Sequence, residues 1–239
     1  MRHIIVKTMA LGVAVVAVQI VAAVARPVPR QEEFDASAVL GSGEERWLWV
    51  VVGDSTTTGP GLNAAHHIWV RQLADRFGSD RCVEVASYAI GGSRARDVVV
   101  HQLEAATAAP ADIAFVSVGA NDVLKGVSAA DYAHHLDIIV SRLVAVHRLV
   151  VLSGVGDLSA IPRLKRPLSD MVARRGKRFD AITDDVARRH GAIKVDQATL
   201  TTPRFRATPG VFSADLLHPT SLGHTIWADA VEATVRPHL

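Results

Sequence analysis

From Trp47 to the C-terminus, short apolar runs alternate with longer amphipathic stretches. The runs at 47–52, 82–89, 113–118, 149–153 and 192–195 are rich in Val and Ile and nearly unbroken by polar residues, as expected of strands covered on both faces. The intervening stretches predict helices over 66–77, 96–106, 129–146, 169–190 and 221–235. Ile68, Leu73 and Phe77 recur at helical spacing in the first of these. In the third, Leu136, Ile139, Val140 and Leu143 share one side. Ser128 stands where that helix needs an N-cap, with Asp131 three residues on. Strand and helix alternate about five times, which predicts an α/β domain built on a doubly wound, roughly five-stranded parallel sheet.

The N-terminal pattern is different. Arg2 and Lys7 precede a stretch from Met9 to Ala25 that is apolar apart from Gln19. A basic start, a hydrophobic stretch and Ala23-Val24-Ala25 fit an export signal. The apolar length also suffices to span a bilayer. Residues 1–25 are therefore expected to be a signal peptide or an N-terminal transmembrane anchor. Either places the remaining chain outside the cytoplasm, secreted or held at the membrane. Residues 26–46 are polar and punctuated by Pro, Gly and Ser, and read as a linker. Residues 47–239 form the expected folded domain.

Bulk composition narrows the function. Of 239 residues, 49% are hydrophobic and 21% charged, and the net charge is +2 with His neutral. That is a globular chain without the strongly basic character of a nucleic-acid binder. The local basic cluster Arg163, Lys165, Arg166, Arg174, Arg175, Lys177 and Arg178 reads first as a solvated helix face, with contact to anionic lipid or substrate as the alternative. A single cysteine, Cys82, excludes an internal disulfide.

The chemistry sits at the ends of the apolar runs. The first run ends in Gly53-Asp54-Ser55, followed by Thr56-Thr57-Thr58-Gly59-Pro60. Glycines at 53 and 59 permit a tight turn that presents the Ser55 hydroxyl at the sheet edge, where open α/β folds hold ligands. A phosphate-cradling loop is the competing reading. It needs a lysine after its second glycine, and Pro60 supplies neither an ammonium nor an amide proton. Far downstream, Asp215-Leu216-Leu217-His218-Pro219 sets an acid three residues before an imidazole. One turn of chain can bring that carboxylate to one ring nitrogen and leave the other to face Ser55, in the pattern nucleophile, base and orienter. Attack on an ester makes an oxyanion, which needs preorganised donors. Asn121, in Gly119-Ala120-Asn121-Asp122, offers a side-chain amide; Gly91-Gly92 and Ser55 offer backbone amides. Asp54 and Asp122 are expected to brace these loops through hydrogen bonds. No HExxH motif or Cys/His cluster points to a metal.

Four blocks in this order resemble the SGNH hydrolases, the GDSL-type esterases and lipases. They are Gly53-Asp54-Ser55, Gly92 within the segment 89–97, Gly119-Ala120-Asn121-Asp122, and Asp215-Leu216-Leu217-His218-Pro219. The resemblance implies a three-layer α/β/α sandwich of flavodoxin-like topology. It also implies Ser55 as nucleophile, His218 as base and Asp215 as its orienter, with an oxyanion hole from Ser55 N–H, Gly92 N–H and the Asn121 side chain. The family's glycine block often has an asparagine several residues earlier, where Ser87 and Tyr88 stand here, and the doubled glycine leaves Gly91 as an alternative donor. Segment 157–162 resembles a loop of bacterial members and is expected to border the substrate cleft. The implied activity is hydrolysis of carboxylic esters through an acyl-enzyme, with no metal or organic cofactor. The implied partners are a small-molecule or lipid ester and, through the N-terminal segment, a membrane. Carbohydrate O-acetyl esterase or acyltransferase activity, and a catalytically silent binding domain, are the alternatives.

Overall fold

The structure, a computed structural model, describes Val18, Gln19 and residues 31–239. The expected signal or anchor, residues 1–25, therefore lies outside the described residues except at 18 and 19. Among the described residues no helix is long and apolar enough to cross a membrane.

Strands β1 (Ala38–Leu40), β2 (Glu45–Gly53), β3 (Arg81–Ser87), β4 (Ile113–Ser117), β5 (Leu149–Ser153) and β6 (Ile193–Val195) form one sheet in the order β1-β3-β2-β4-β5-β6. Every pairing from β3 to β6 is parallel. β1 pairs antiparallel with β3, Val39 opposite Glu84. The five expected strands are thus present and mutually parallel, as expected, and one antiparallel edge strand adds to them. It comes from the stretch read as a linker. Three residues bounded by Ser37 and Gly41 are too few to show a period. Side chains hold them instead: the Arg71 guanidinium donates to the carbonyls of Asp35, Ala36 and Ser37, and Ser37 Oγ accepts from Ser87 N at 3.0 Å.

The helices divide by face. α1 (Ser55–Thr58) is the short turn after β2, and α2 (Trp69–Phe77) follows it. Then come α3 (Ala95–His101), α4 (Leu103–Ala106), α5 (Ala120–Leu124), α6 (Ala129–Val144) and α7 (Leu168–His190). The last three are α8 (Gln197–Leu200), α9 (Thr202–Ala207) and α10 (Ser221–Val235). Because side chains alternate along a strand, each strand feeds two cores. Val50, Val52, Ala114, Val116, Val150 and Leu152 pack with residues of α3, α4, α6 and α7. Trp49, Val51, Ile113, Phe115 and Val151 pack on the opposite face with α2 and α10. This is the three-layer sandwich expected. Trp49 is fully buried and meets Phe77 and Phe115 edge-on at 5.6 and 5.4 Å between ring centroids. Ser128 caps α6 as expected, accepting from Asp131 N at 3.0 Å. Cys82 is half-buried.

Helices α8 and α9 carry too few residues for a recognisable period and do not show in the hydrophobic pattern. They follow β6 at the carboxyl edge of the sheet, where the chain turns toward the 211–220 loop.

Trp49→Ala should lower the unfolding free energy by about 3–5 kcal/mol. Val39→Ala, on the exposed face of β1, should change it by less than about 0.5 kcal/mol. Urea unfolding of the two variants checks this.

Candidate active site

Close backbone approach brings the end of β2 to the site. A Cβ at Gly53 would lie 2.4 Å from the carbonyl oxygen of Ser117 on β4, so only glycine allows the two strands to pair there. Gln102, buried at the α3–α4 junction, clamps this glycine from both ends. Its Oε1 accepts from Gly53 N at 2.8 Å, and its Nε2 donates to Gly53 O at 2.9 Å and to Ser93 Oγ at 3.1 Å. The chain then enters α1. Asp54 is the N-cap, accepting from Thr56 N at 2.9 Å. Gly59 closes the turn in the left-handed region at φ 63° and donates to Ser55 O. Ser55, half-buried, is the first residue of that turn. At a helix start the N–H groups have no partner within the helix, so the Ser55 amide is available as a donor beside its own hydroxyl.

The end of β4 supplies the second piece. Gly119, at φ 127°, turns the chain into α5; a Cβ there would strike Tyr132 Oη at 2.8 Å and Val155 Cγ2 at 2.9 Å. Asn121 then donates one amide hydrogen to Asp54 Oδ2 at 3.1 Å. That bond fixes the amide plane and leaves the second hydrogen for a ligand. Asp122 points inward and accepts from Ala95 N at 3.1 and 3.3 Å. Both acids brace loops, as expected. Burial raises the pKa of Asp54 against the hydrogen bonds from Thr56 and Asn121 that lower it. Burial also pushes Asp122 up to about 6, with the Asp54 charge adding to the rise.

The 211–220 loop supplies the third piece. Phe212 and Pro219 pair as an isolated bridge, and Ser213 N donates to His218 O at 2.8 Å. Inside this narrow turn Asp215 is buried. Its Oδ2 meets His218 Nδ1 at 2.6 Å. Its Oδ1 accepts from Ser213 Oγ at 2.7 Å, Leu217 N at 2.8 Å and His218 N at 2.9 Å. Burial alone would raise this carboxyl, but the backbone donors His218 and Leu217, with Ser213 and the imidazole, hold it below the ordinary carboxylate range. Leu216 takes φ 61°, a strained value for a branched residue. It is held there by its own N–H to Ser213 O and by Arg163 N on its carbonyl, while Arg163 Nη1 donates to Asp215 O. Gln31 reaches this turn from the N-terminal side, donating to Ser213 Oγ at 3.2 Å.

These pieces meet in one cavity, whose wall includes Ser55, Asn121 and His218. Among the described hydrogen bonds none joins Ser55 to His218; without substrate such contacts are commonly long. Asp157, Leu158, Ala160 and Ile161 line the same cavity, as expected of the 157–162 segment. Gly92 does not wall it. It has φ 74°, and its carbonyl accepts from Lys125 Nζ at 2.7 Å. Gly91 lies against the Glu33 carboxylate, whose oxygens come within 2.3 Å of where a Cβ would stand. The doubled glycine is therefore two distinct positions, one needing the left-handed backbone and one needing the missing side chain. Among the described residues no group of three or more His, Cys, Asp or Glu is placed to hold a metal ion.

Several site residues escaped the sequence reading. Gln102 could have been found as a polar residue where the α3–α4 stretch turns inward. Ser213, two residues before Asp215, carried a weak turn signal. Phe205 and Phe212 on the cavity wall carried none. His224 is a core residue: its Nδ1 accepts from Trp69 N, and burial drops its pKa to about 3.

Fold and site together define a class, and comparison with known proteins agrees. The chain belongs to the GDSL-like lipase/acylhydrolase family, whose model matches residues 51–226. A GDSL-like esterase of Mycobacterium tuberculosis is 30% identical over 199 residues, covering 80% of this chain and 62% of that protein; the chain thus spans somewhat under two thirds of that relative's length. A lipolytic G-D-S-L family protein from Veillonella parvula superposes with a TM-score of 0.65 at 18% identity, over 80% of this chain and 99% of that one. An acetylxylan esterase from Geobacillus stearothermophilus gives 0.61 at 18% identity, over 82% and 95%. At such identities these two likenesses speak for the fold.

Two stability effects follow. Asp122 holds its proton more tightly folded than unfolded, so the folded state binds more protons between the ordinary carboxyl pKa and about 6. Its contribution to stability is therefore fully present at low pH and falls as pH rises through that window, by about 3 kcal/mol at most. Asp122→Asn should remove this slope, gaining on the wild type between pH 4 and 7.5 in urea unfolding. Gln102→Ala should cost about 1–3 kcal/mol, because it strands the buried N–H of Gly53, while the Gly53 carbonyl keeps the N–H of Ile90.

Proposed function

We propose that this chain is a serine esterase that hydrolyses acyl esters through an acyl-enzyme, exported and held at or released from the membrane. Ser55 Oγ attacks the ester carbonyl carbon while His218 Nε2 takes the hydroxyl proton. The resulting oxyanion is held by Ser55 N–H and the free Asn121 amide hydrogen, which line the cavity, with Gly92 N–H as the third donor that family membership suggests. Collapse breaks the carbon–oxygen bond to the alcohol, which leaves with the proton from His218. Water then attacks the acyl-enzyme, His218 takes its proton and returns it to Ser55 Oγ, and the acid departs. Asp215 stays ionised throughout, holding the ring in one tautomer and stabilising the imidazolium.

The observation that carries this reading is the His218–Asp215 pair. A buried carboxylate with four donors on it, one of them the imidazole at 2.6 Å, is an orienter already built, and the ring it orients shares a cavity with Ser55 and Asn121. Family membership and the Mycobacterium tuberculosis relative support ester hydrolysis. Export rests on the basic start and apolar stretch of the first 25 residues.

Ser55→Ala should lower turnover of p-nitrophenyl butyrate at least about 1000-fold without shifting the melting temperature. A fluorophosphonate probe should label Ser55 in the folded wild type. Persistent turnover in the variant removes Ser55 as nucleophile. A wild type that neither hydrolyses esters nor takes the probe favours the silent binding domain.

A further inference from the structure

We propose that the part of the cavity walled by segment 157–161 and helices α9 and α10 is an acyl pocket for a chain of about six carbons. The proposal rests on the reading of Ser55 as the nucleophile and adds the substrate class.

The cavity extends from Ser55 and His218 to an apolar wall that includes Leu158, Ile161, Phe205, Phe212, Leu217 and Trp227. The aromatic members brace one another: Phe205 lies 5.6 Å from both Phe212 and Trp227 between ring centroids. Hydroxyls around the cavity are engaged within the protein. Thr56 Oγ1 pairs with Ser117 Oγ, Ser153 Oγ accepts from Gln197, Thr201 Oγ1 donates to Gln197 O, and Thr202 Oγ1 accepts from Asp157 N. The Asp157 carboxylate is itself held by Ser159 N and Arg206. Among the described residues of the wall, Gln197 Oε1 alone is a buried side-chain atom without a protein partner, so a sugar ring would find one such acceptor and leave its other hydroxyls against an apolar wall, at a cost of about 1–3 kcal/mol each. A hydrocarbon chain loses nothing there and gains burial.

Size sets the length. The whole cavity, its Ser55 end included, holds about 160 Å³, and an apolar protein cavity of about 150 Å³ takes up benzene, a ligand of six carbons, so about six is the count for the entire acyl group, carbonyl carbon included. The acyl half is the better occupant than the alcohol half. The acyl group remains bonded to Ser55 Oγ while the alcohol departs and water arrives, so a side recess suits the part that stays.

Steady-state kcat/KM of the full chain for p-nitrophenyl acetate, butyrate, hexanoate, octanoate, laurate and palmitate tests this. The expected profile rises about fourfold per methylene up to roughly six carbons, the value for burying a CH2, and falls beyond octanoate. Ala160→Phe, which narrows the cavity at a position on its wall, should lower the hexanoate-to-acetate ratio at least tenfold. Phe205→Ala should move the optimum to longer chains, and if it fails to fold, the Ala160 variant carries the test alone. A profile flat within twofold from acetate to octanoate overturns the pocket while leaving ester hydrolysis standing. So does a rise seen with acetate esters of longer alcohols instead of longer acyl groups. Hydrolysis of none of these esters, with Ser55 unlabelled by fluorophosphonate, sinks the pocket and the esterase reading together.

Discussion

One buried carboxylate joins the two halves of this site. Asp54 takes Thr56 N on one oxygen and Asn121 Nδ2 on the other. The first bond sets the turn that presents Ser55; the second sets the amide plane after β4. Neither bond lies in the regular ladder of the sheet. Without them, β2 and β4 would still pair through Gly53 and Ser117, but the side chains beyond their ends would have no common reference. Burial with so few donors is costly for a carboxylate, which is why its pKa is driven upward. The site accepts that cost in exchange for a fixed distance between Ser55 and the Asn121 amide, a preorganisation that loops alone do not give.

The opposite electrostatic choice is made at Asp215. There four donors surround the acid, and it is held ionised despite burial. Two aspartates, each hidden from water, are thus pushed apart in pKa by the number of hydrogens aimed at them. The strained Leu216 belongs to the same design. A left-handed residue between Asp215 and Leu217 curls the chain so that two backbone amides and the ring all converge on one carboxyl. Divergent environments for like groups are a familiar mark of sites that move protons.

Much of this could be read from residue order, and the reasons are physical. The strands announced themselves because both faces are covered, so Val51 and Val52 are equally apolar although they enter different cores. Ser55, Asn121, His218 and Asp215 stood out because each follows a strand or sits in a tight turn with a proline or glycine beside it. What stayed hidden depends on contacts far apart in the chain. β1 is three residues held by Arg71. Gln102 matters only because Gly53, forty-nine residues earlier, lies under it. Helices α8 and α9 are too short to show amphipathicity, yet Phe205 on α9 shapes the cavity. The glycine pair was ambiguous in sequence because both positions are glycine for different reasons, φ at Gly92 and the Glu33 carboxylate at Gly91.

The path of the incoming chain has a consequence for what keeps the separate loops of the site in place. Residues 31–34 do not approach the domain from its far side. Gln31 touches the Ser213 turn, Glu33 lies on Gly91, and Phe34 N bonds to Thr58 O at the end of α1. One short strap therefore ties together the turn that cradles Asp215, the glycine pair and the end of α1. A cut or insertion within it would loosen all three at once, although none of its side chains belongs to the triad.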